Sequence, residues 1–356
     1  MPTNKIAVVC NSTNPDLVQY FLCKLNTLQN STLKASYIAF KNKSILTNDS
    51  KNMYTSSYTD KAFFDKKLPL DFLISFYILI IVLKNRVTTI HFTTAHISNL
   101  FLSIFLKPFK IRQIFTIHDL IPHPGKKAIL IKLYNQFVIN ILSDEVISFS
   151  KNEILKQNKS QKFQALTLSG FEQYSNEAKS GQKTILFFGR IEFYKGIENL
   201  FNIIEKSNQV NTGYTFIIAG KGTIPNLQQM QNLKNVEIIN RFIDDSELKE
   251  LFQKASFTLL PYNSATQSGV TILSYSYATP VIAYNVGSLS EYIENQKNGF
   301  LVDFKMNDKI IQILQETSDD EIKQLSAFAI KSFEKKYSYK ACLTYYKEYY
   351  KKIMEN

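Results

Sequence analysis

The stretch Thr-Ile-Leu-Phe-Phe-Gly-Arg-Ile-Glu-Phe-Tyr-Lys-Gly-Ile-Glu-Asn-Leu (184–200) decides how the rest of the chain is read. Thr184–Gly189 is a short apolar run of strand length that stops on a glycine. A residue without a side chain at a strand end lets a ligand come close to the backbone. Arg190 follows at once, and Lys195-Gly196 comes as a new amphipathic stretch begins. In open α/β sheets, ligands bind beyond the carboxyl ends of the strands. Arg190 and Lys195 would put two cations in that crevice, which suits a diphosphate. Taken alone, an Arg behind a strand is an ordinary solvated flank, so the reading needs its neighbours.

Those neighbours repeat the rhythm. Phe-Ile-Ile-Ala-Gly-Lys-Gly (216–222) is a second strand ending in glycines, the first of them Gly220. From Leu259 a third strand leads into the small polar loop Ser264–Gly269, with a helix starting near Ser268. The free amides and dipole of a helix N-terminus form an anion site. Thr266, Gln267, Ser268, Gly269 and Val270 can therefore bring donors to phosphate or sugar hydroxyls, although a single Ser there is also a common N-cap. Strands are expected at Ile6–Cys10, Ala35–Phe40, Thr89–Phe92, Gln113–Ile117, Glu145–Phe149, Thr184–Gly189, Thr215–Ala219, Val236–Ile239, Phe257–Leu260 and Pro280–Ala283. Phe201–Ser207, Asp245–Lys254, Ser290–Asn295 and the tail Tyr337–Met354 read as helices. Short apolar runs alternating with helix-length stretches indicate parallel-sheet α/β architecture. The expected division is residues 1–168, a polar linker 169–183, a second domain 184–335 and a C-terminal helix 336–356 packing back on the first domain.

Composition bounds the function. The chain has 356 residues, 45% hydrophobic and 20% charged, which fits two globular domains and excludes disorder. Three cysteines without a CxxC pair exclude a disulfide scaffold and a zinc ribbon. The net charge of +12 is one-sided: residues 1–165 hold 21 Lys and Arg against 9 Asp and Glu, and the remainder holds 21 of each. The basic half is thus expected to face something anionic. Its aromatics sit in apolar runs rather than between arginines, which argues against nucleic acid. Phe72–Leu83 is too short to span a bilayer, which takes about 20 residues. With Asn99–Arg112 it reads as a buried helix or as one lying on an anionic membrane surface. The apolar run Ile6–Cys10 is too short for a signal-peptide core, so a cytoplasmic protein is expected, peripheral on the inner face of the plasma membrane if the basic half meets lipid.

All four histidines, His91, His96, His118 and His123, fall in one window. Pairs five apart, off a helix face and beside prolines, make a poor zinc site, so no metal is expected. His118-Asp119 instead closes an expected strand, where a His taken alone reads as structural.

Gly-Arg-x4-Lys-Gly, the glycine-ended strand at Gly220, the 266–270 loop, Thr-Pro-Val-Ile-Ala, Gly-x-Leu-x-Glu and Asn-Gly-Phe-Leu-Val, in that order, resemble the nucleotide-sugar half of family 4 glycosyltransferases. The resemblance is clear over residues 184–303 and looser before them. It implies the GT-B fold, two doubly wound Rossmann-like domains with the donor in an interdomain cleft, and metal-independent transfer with retention of configuration. It also implies that Arg190 and Lys195 hold the diphosphate, that Gly189, Gly220 and residues Thr266–Val270 line the donor, and that Glu291 supports that loop. His118, with Asp119, would lie by the reacting sugar, and His91 resembles a further cleft histidine. The partners implied are a nucleotide-sugar donor and a lipid-linked or glycan acceptor, with no separate cofactor. Two glutamates usual in the family are replaced by Ala265 and Leu273, and the N-terminal glycine pair by Asn11–Pro15. These departures resemble a polysaccharide-assembly subgroup. A nucleotide-sugar-binding partner subunit without turnover is the alternative they leave to an active enzyme, and a GT-B epimerase is a further one.

Overall fold

The computed structural model describes residues 5–10, 35–40, 53–56, 68–122, 128–157, 162–168, 183–225 and 227–355. His123, Asn11–Pro15 and all but the last residue of the 169–183 segment lie outside them. The chain divides into two compact units, Met1–Ser169 with Tyr339–Asn356, and Gly170–Ser338.

Among the described residues the first unit holds seven parallel strands: β1 (Ile6–Cys10), β2 (Ala35–Phe40), β3 (Met53–Ser56), β4 (Thr89–Phe92), β5 (Arg112–Thr116), β6 (Glu145–Ser148) and β7 (Phe163–Ala165). Their order is β3-β2-β1-β4-β5-β6-β7. The second holds six: β8 (Thr184–Phe188), β9 (Thr215–Ala219), β10 (Val236–Ile239), β11 (Phe257–Leu260), β12 (Val281–Tyr284) and β13 (Gly299–Val302), in the order β10-β9-β8-β11-β12-β13. Both share the doubly wound arrangement in which strand order reverses beside the first strand, at β1/β4 and at β8/β11. The sequence shows no repeat, yet the topology repeats.

Strands covered on both faces need apolar side chains at every position instead of alternating ones. Ile6–Cys10, Phe257–Leu260 and Val281–Tyr284 are buried throughout, as that requires. One face of the first sheet is covered by the helices Leu68–Lys84, Ile97–Leu106 and Ala128–Phe137. The helix Tyr339–Glu355 covers the other, setting Cys342, Tyr346, Tyr350 and Ile353 on Ile6, Val8, Ile114 and Ile147. Tyr346 donates its hydroxyl to the Thr167 carbonyl at 2.9 Å, and Tyr349 to Glu145 Oε1 at 2.8 Å.

The expected helix at Phe72–Leu83 is longer, Leu68–Lys84, and it is not simply buried. Ser75, Ile78, Leu79 and Val82 face the core, while Phe72, Leu73, Phe76, Tyr77 and Ile80 are each about half exposed. No helix among the described residues is long and apolar enough to cross a membrane.

Candidate functional site

In the second unit the strand-order reversal leaves the carboxyl ends of β8 and β11 side by side, and both carry the chain to one place. Gly189 extends the ladder, its N–H donating to the Ala219 carbonyl at 2.9 Å. Its φ of +102° lies where side chains are strained, and a Cβ there would stand 2.7 Å from Lys195 Nζ and 3.5 Å from Val270 Cγ2. Gly189, Lys195 and Val270 therefore converge. Gly220, at φ +147°, lies against the Gly189 carbonyl, so a side chain there would collide with backbone.

Lys195 is buried to 7% exposure, with Nζ 5.6 Å from the Tyr262 ring centre. Its position is imposed by a polar staple between the two strand ends. Gly196 turns left-handed, and a Cβ there would collide with the Pro261 carbonyl, so the position admits only glycine. Asn199 Nδ2 donates to that carbonyl and to Asn263 Oδ1, both at 2.9 Å. Asn263 returns the contact by donating Nδ2 to the Phe193 carbonyl at 2.9 Å and its own N–H to the Tyr194 carbonyl at 2.7 Å. Held this way, a lysine need not be ordered anew when an anion arrives.

Opposite stands the helix Gly269–Ser276. Ser268 is its N-cap, accepting from Thr271 N at 3.1 Å. That cap does not use the amides of Gly269 and Val270, and a Cβ on Gly269 would meet nothing within 4 Å, so the helix start opens on free space. Thr266 and Ser268 are buried beside it. Gln267 Oε1 is buried without a hydrogen-bond partner among the described residues, as is the Tyr262 hydroxyl. Buried polar atoms are normally satisfied, so an orphaned acceptor and an orphaned hydroxyl here mark room for a polar ligand. Gly287 backs the loop by lying against the Ala265 carbonyl, with Ser288 N donating to that oxygen at 3.1 Å. Glu291 follows in the short helix Leu289–Tyr292.

Arg190 is placed differently from Lys195. Its side chain is 75% exposed and paired with Glu192 at 3.1 Å. Ala265 and Leu273, at the positions of the usual glutamates, are both buried, and Leu273 packs with Leu186 and Phe252.

In the first unit the histidines separate into distinct roles. His91 is fully buried, with Nδ1 2.6 Å from the Tyr350 hydroxyl and Nε2 2.8 Å from Thr116 Oγ1, so it ties sheet to C-terminal helix inside the core. His96 caps the helix Ile97–Leu106. His118 is half-buried at the end of β5, donating Nε2 to the Thr93 carbonyl at 3.2 Å, with its ring on Phe149. Asp119 is half-buried beside it. Among the described residues no three of His, Cys, Asp and Glu gather as metal ligands would.

Tyr262, Asn199 and Asn263 were not legible as site residues, although Pro-Tyr-Asn directly after the Phe257–Leu260 run marks a strand end of the kind seen at Gly189.

Residues 182–320 match the family model described as glycosyl transferases group 1. A 41.2 kDa protein in the cps region of Klebsiella pneumoniae is 27% identical over 198 residues, covering 52% of this chain and 54% of its own. The O-antigen chain mannosyltransferase C of Escherichia coli is 23% identical over 218 residues, covering 55% and 57%. The chain thus spans about half the length of these relatives. The sucrose-phosphate synthase of Thermosynechococcus elongatus superposes with a TM-score of 0.74 at 17% identity, covering 99% of both chains. Anabaena HepE, solved with UDP-glucose, superposes with 0.71 at 15% identity, covering 98% and 99%. The fold is GT-B, an α/β fold of two parallel-sheet units.

Proposed function

We propose that the chain is a retaining glycosyltransferase that moves a hexose-type sugar from a nucleoside-diphosphate donor to a lipid-linked or polysaccharide acceptor. The observation that carries this reading is the convergence of Lys195 Nζ, the bare Gly189 backbone and the open start of the helix Gly269–Ser276. The family match over residues 182–320, and the UDP-glucose in the HepE structure, support reading the anion as the diphosphate of a nucleotide sugar. The cps and O-antigen relatives point to glycan assembly.

As the glycosidic bond breaks, charge develops on the leaving diphosphate. Lys195 and the amides of Gly269 and Val270 would stabilise it, and preorganised charges of this kind usually lower a barrier most. Arg190 would join them by giving up its exposed pairing with Glu192, which costs little because such pairs contribute about 0–1 kcal/mol. Gln267 Oε1 would accept from a donor-sugar hydroxyl, Thr266 and Ser268 would frame the distal phosphate, and Glu291 would support their loop. His118, with Asp119, would address the reacting sugar or the acceptor. The leaving phosphate oxygen can take the acceptor's proton on the same face, so neither a protein nucleophile nor a metal is called for.

The basic first unit is assigned to an anionic membrane surface, on the inner face of the plasma membrane, where a lipid-linked acceptor would be met. Support comes from the half-exposed Phe72, Leu73, Phe76, Tyr77 and Ile80, and from Ile129, Leu133, Phe137 and Ile141, four apart along a second exposed stripe. A second reading, a donor-binding subunit without turnover, is favoured by the core leucine at position 273. Incubating the purified chain with UDP-, GDP- and dTDP-sugars separates the two. Transfer or donor hydrolysis with one base, accompanied by a raised melting temperature, supports the enzyme. A raised melting temperature without turnover supports the subunit, and no shift with any donor removes both.

A further inference from the structure

The turn that follows β5, His118 to Ile121, is held by its own His118 and by side chains from two helices. His118 Nε2 meets the Thr93 carbonyl beyond β4. Asn135, 3% exposed on the helix Ala128–Phe137, donates Nδ2 to the Asp119 carbonyl at 2.8 Å. Glu153, 5% exposed on the short helix Lys151–Leu155, sets its carboxyl beside the backbone amides of Leu120 and Ile121.

A glutamate in the first turn of a helix commonly folds back onto its own N-cap. Here Ser150 Oγ caps the Glu153 amide at 3.0 Å, and the Glu153 carboxyl turns to the neighbouring loop instead. Its Oε2 is buried with no hydrogen-bond partner among the described residues. Nothing in the transfer chemistry uses this carboxyl.

We infer that Glu153 is a positioning residue, whose carboxyl fixes the turn carrying His118 and Asp119 and whose protonation state alters that grip. The inference rests on the transferase reading only for its consequence in activity, since the grip itself is structural. Burial first, and the Asp119 carboxylate second, push the Glu153 carboxyl up to about 7, against a weaker pull from Lys156 on its own helix. From Ala128–Phe137 the uncharged Asn135 faces the turn, and burial pushes the Tyr134 hydroxyl of the same helix further up, so it stays neutral. Because this acid holds its proton more tightly folded than unfolded, its contribution to stability is full below the ordinary glutamate range. It is lost as pH rises towards 7 and levels off above it.

The experiment compares the wild type with Glu153→Gln, which keeps an acceptor oxygen for the amides but cannot ionise. The Leu120 and Ile121 amide resonances are followed by NMR from pH 5 to 8.5, alongside melting temperature. Wild-type amides should titrate with a midpoint near 7 while the melting temperature falls, and both changes should vanish in Glu153→Gln. Amides that do not titrate, or that titrate equally in the variant, overturn the inference. With a donor and acceptor in hand, Glu153→Ala should lower kcat at least tenfold with donor affinity unchanged, and Glu153→Gln should restore it at low pH. A tenfold loss of donor affinity with kcat intact would also overturn it. If the chain proves to have no transfer activity, the NMR and melting arms still decide the role of Glu153.

Discussion

Gly189 shows how one position can serve fold and chemistry together. Its φ of +102° is strained for any residue with a Cβ, and that Cβ would sit 2.7 Å from Lys195 Nζ. Gly189→Ala should therefore lower the melting temperature, at about 1–3 kcal/mol for the backbone strain alone, and should weaken diphosphate binding by displacing the ammonium. Gly269→Ala is the contrast, because its Cβ meets nothing within 4 Å and φ is not positive. Differential scanning calorimetry should find the first variant destabilised and the second at or above the wild type. Equal melting of the two would contradict the placement of Lys195. Arg190 and Lys195 look alike in sequence, as cations flanking one strand end. They differ in structure because only Lys195 falls inside the Asn199–Asn263 staple, a contact between segments some sixty residues apart that local spacing does not reveal.

At the scale of elements, long runs with a clear period were the legible ones. The helix Asp245–Lys254 falls where the sequence put it, with Asp244 and Glu247 closing its capping box. Ile197–Gln209 starts earlier than the expected Phe201–Ser207, because Gly196 ends the preceding turn left-handed and releases the chain into the helix at once. The strands missed, β3 and β7, are edge strands of four and three residues, Met-Tyr-Thr-Ser and Phe-Gln-Ala, too short to show an apolar run. β13 was legible as the motif Gly-Phe-Leu-Val but not as a strand. Ser318, which accepts from Glu321 N, announces a helix at Asp319–Ser332 that periodicity alone did not.

Leu68–Lys84 was ambiguous for a physical reason: its exposed residues are as apolar as its buried ones, so no amphipathic contrast exists to read. An exposed apolar stripe on a basic unit has a testable consequence. Phe76→Asp with Ile80→Asp should abolish flotation with anionic phospholipid vesicles while leaving the melting temperature within about 2 °C, since surface substitutions usually stay within about 0.5 kcal/mol. Flotation equal to wild type would contradict the membrane assignment.

At the scale of the molecule, two sheets with the same strand order arise from sequences that do not resemble each other. The reason is that doubly wound packing asks only for fully apolar strands and helices on both faces. Pattern therefore revealed the fold class, while the pairing of Tyr350 with His91, 259 residues apart, is a product of the closed core. Charge divides the other way. The first half of the chain carries the whole net charge of +12, yet the proposed anion site lies in the second, at one buried lysine and the main-chain amides of a helix start. Net charge reports what a surface attracts, and a site for a small anion depends on a few oriented donors. The proposed site was suggested by motif order, and its geometry is seen only where β8 and β11 meet.

The most direct measurement is isothermal titration of the wild type and Lys195→Ala with UDP, GDP and dTDP at physiological salt. One diphosphate should bind the wild type, and the variant should lose at least about tenfold in affinity, a deficit of about 1.4 kcal/mol or more, with its melting temperature otherwise near the wild type's. Equal affinity in the two proteins, or no binding of any of the three to the wild type, would contradict a pyrophosphate held by Lys195 at the end of β8.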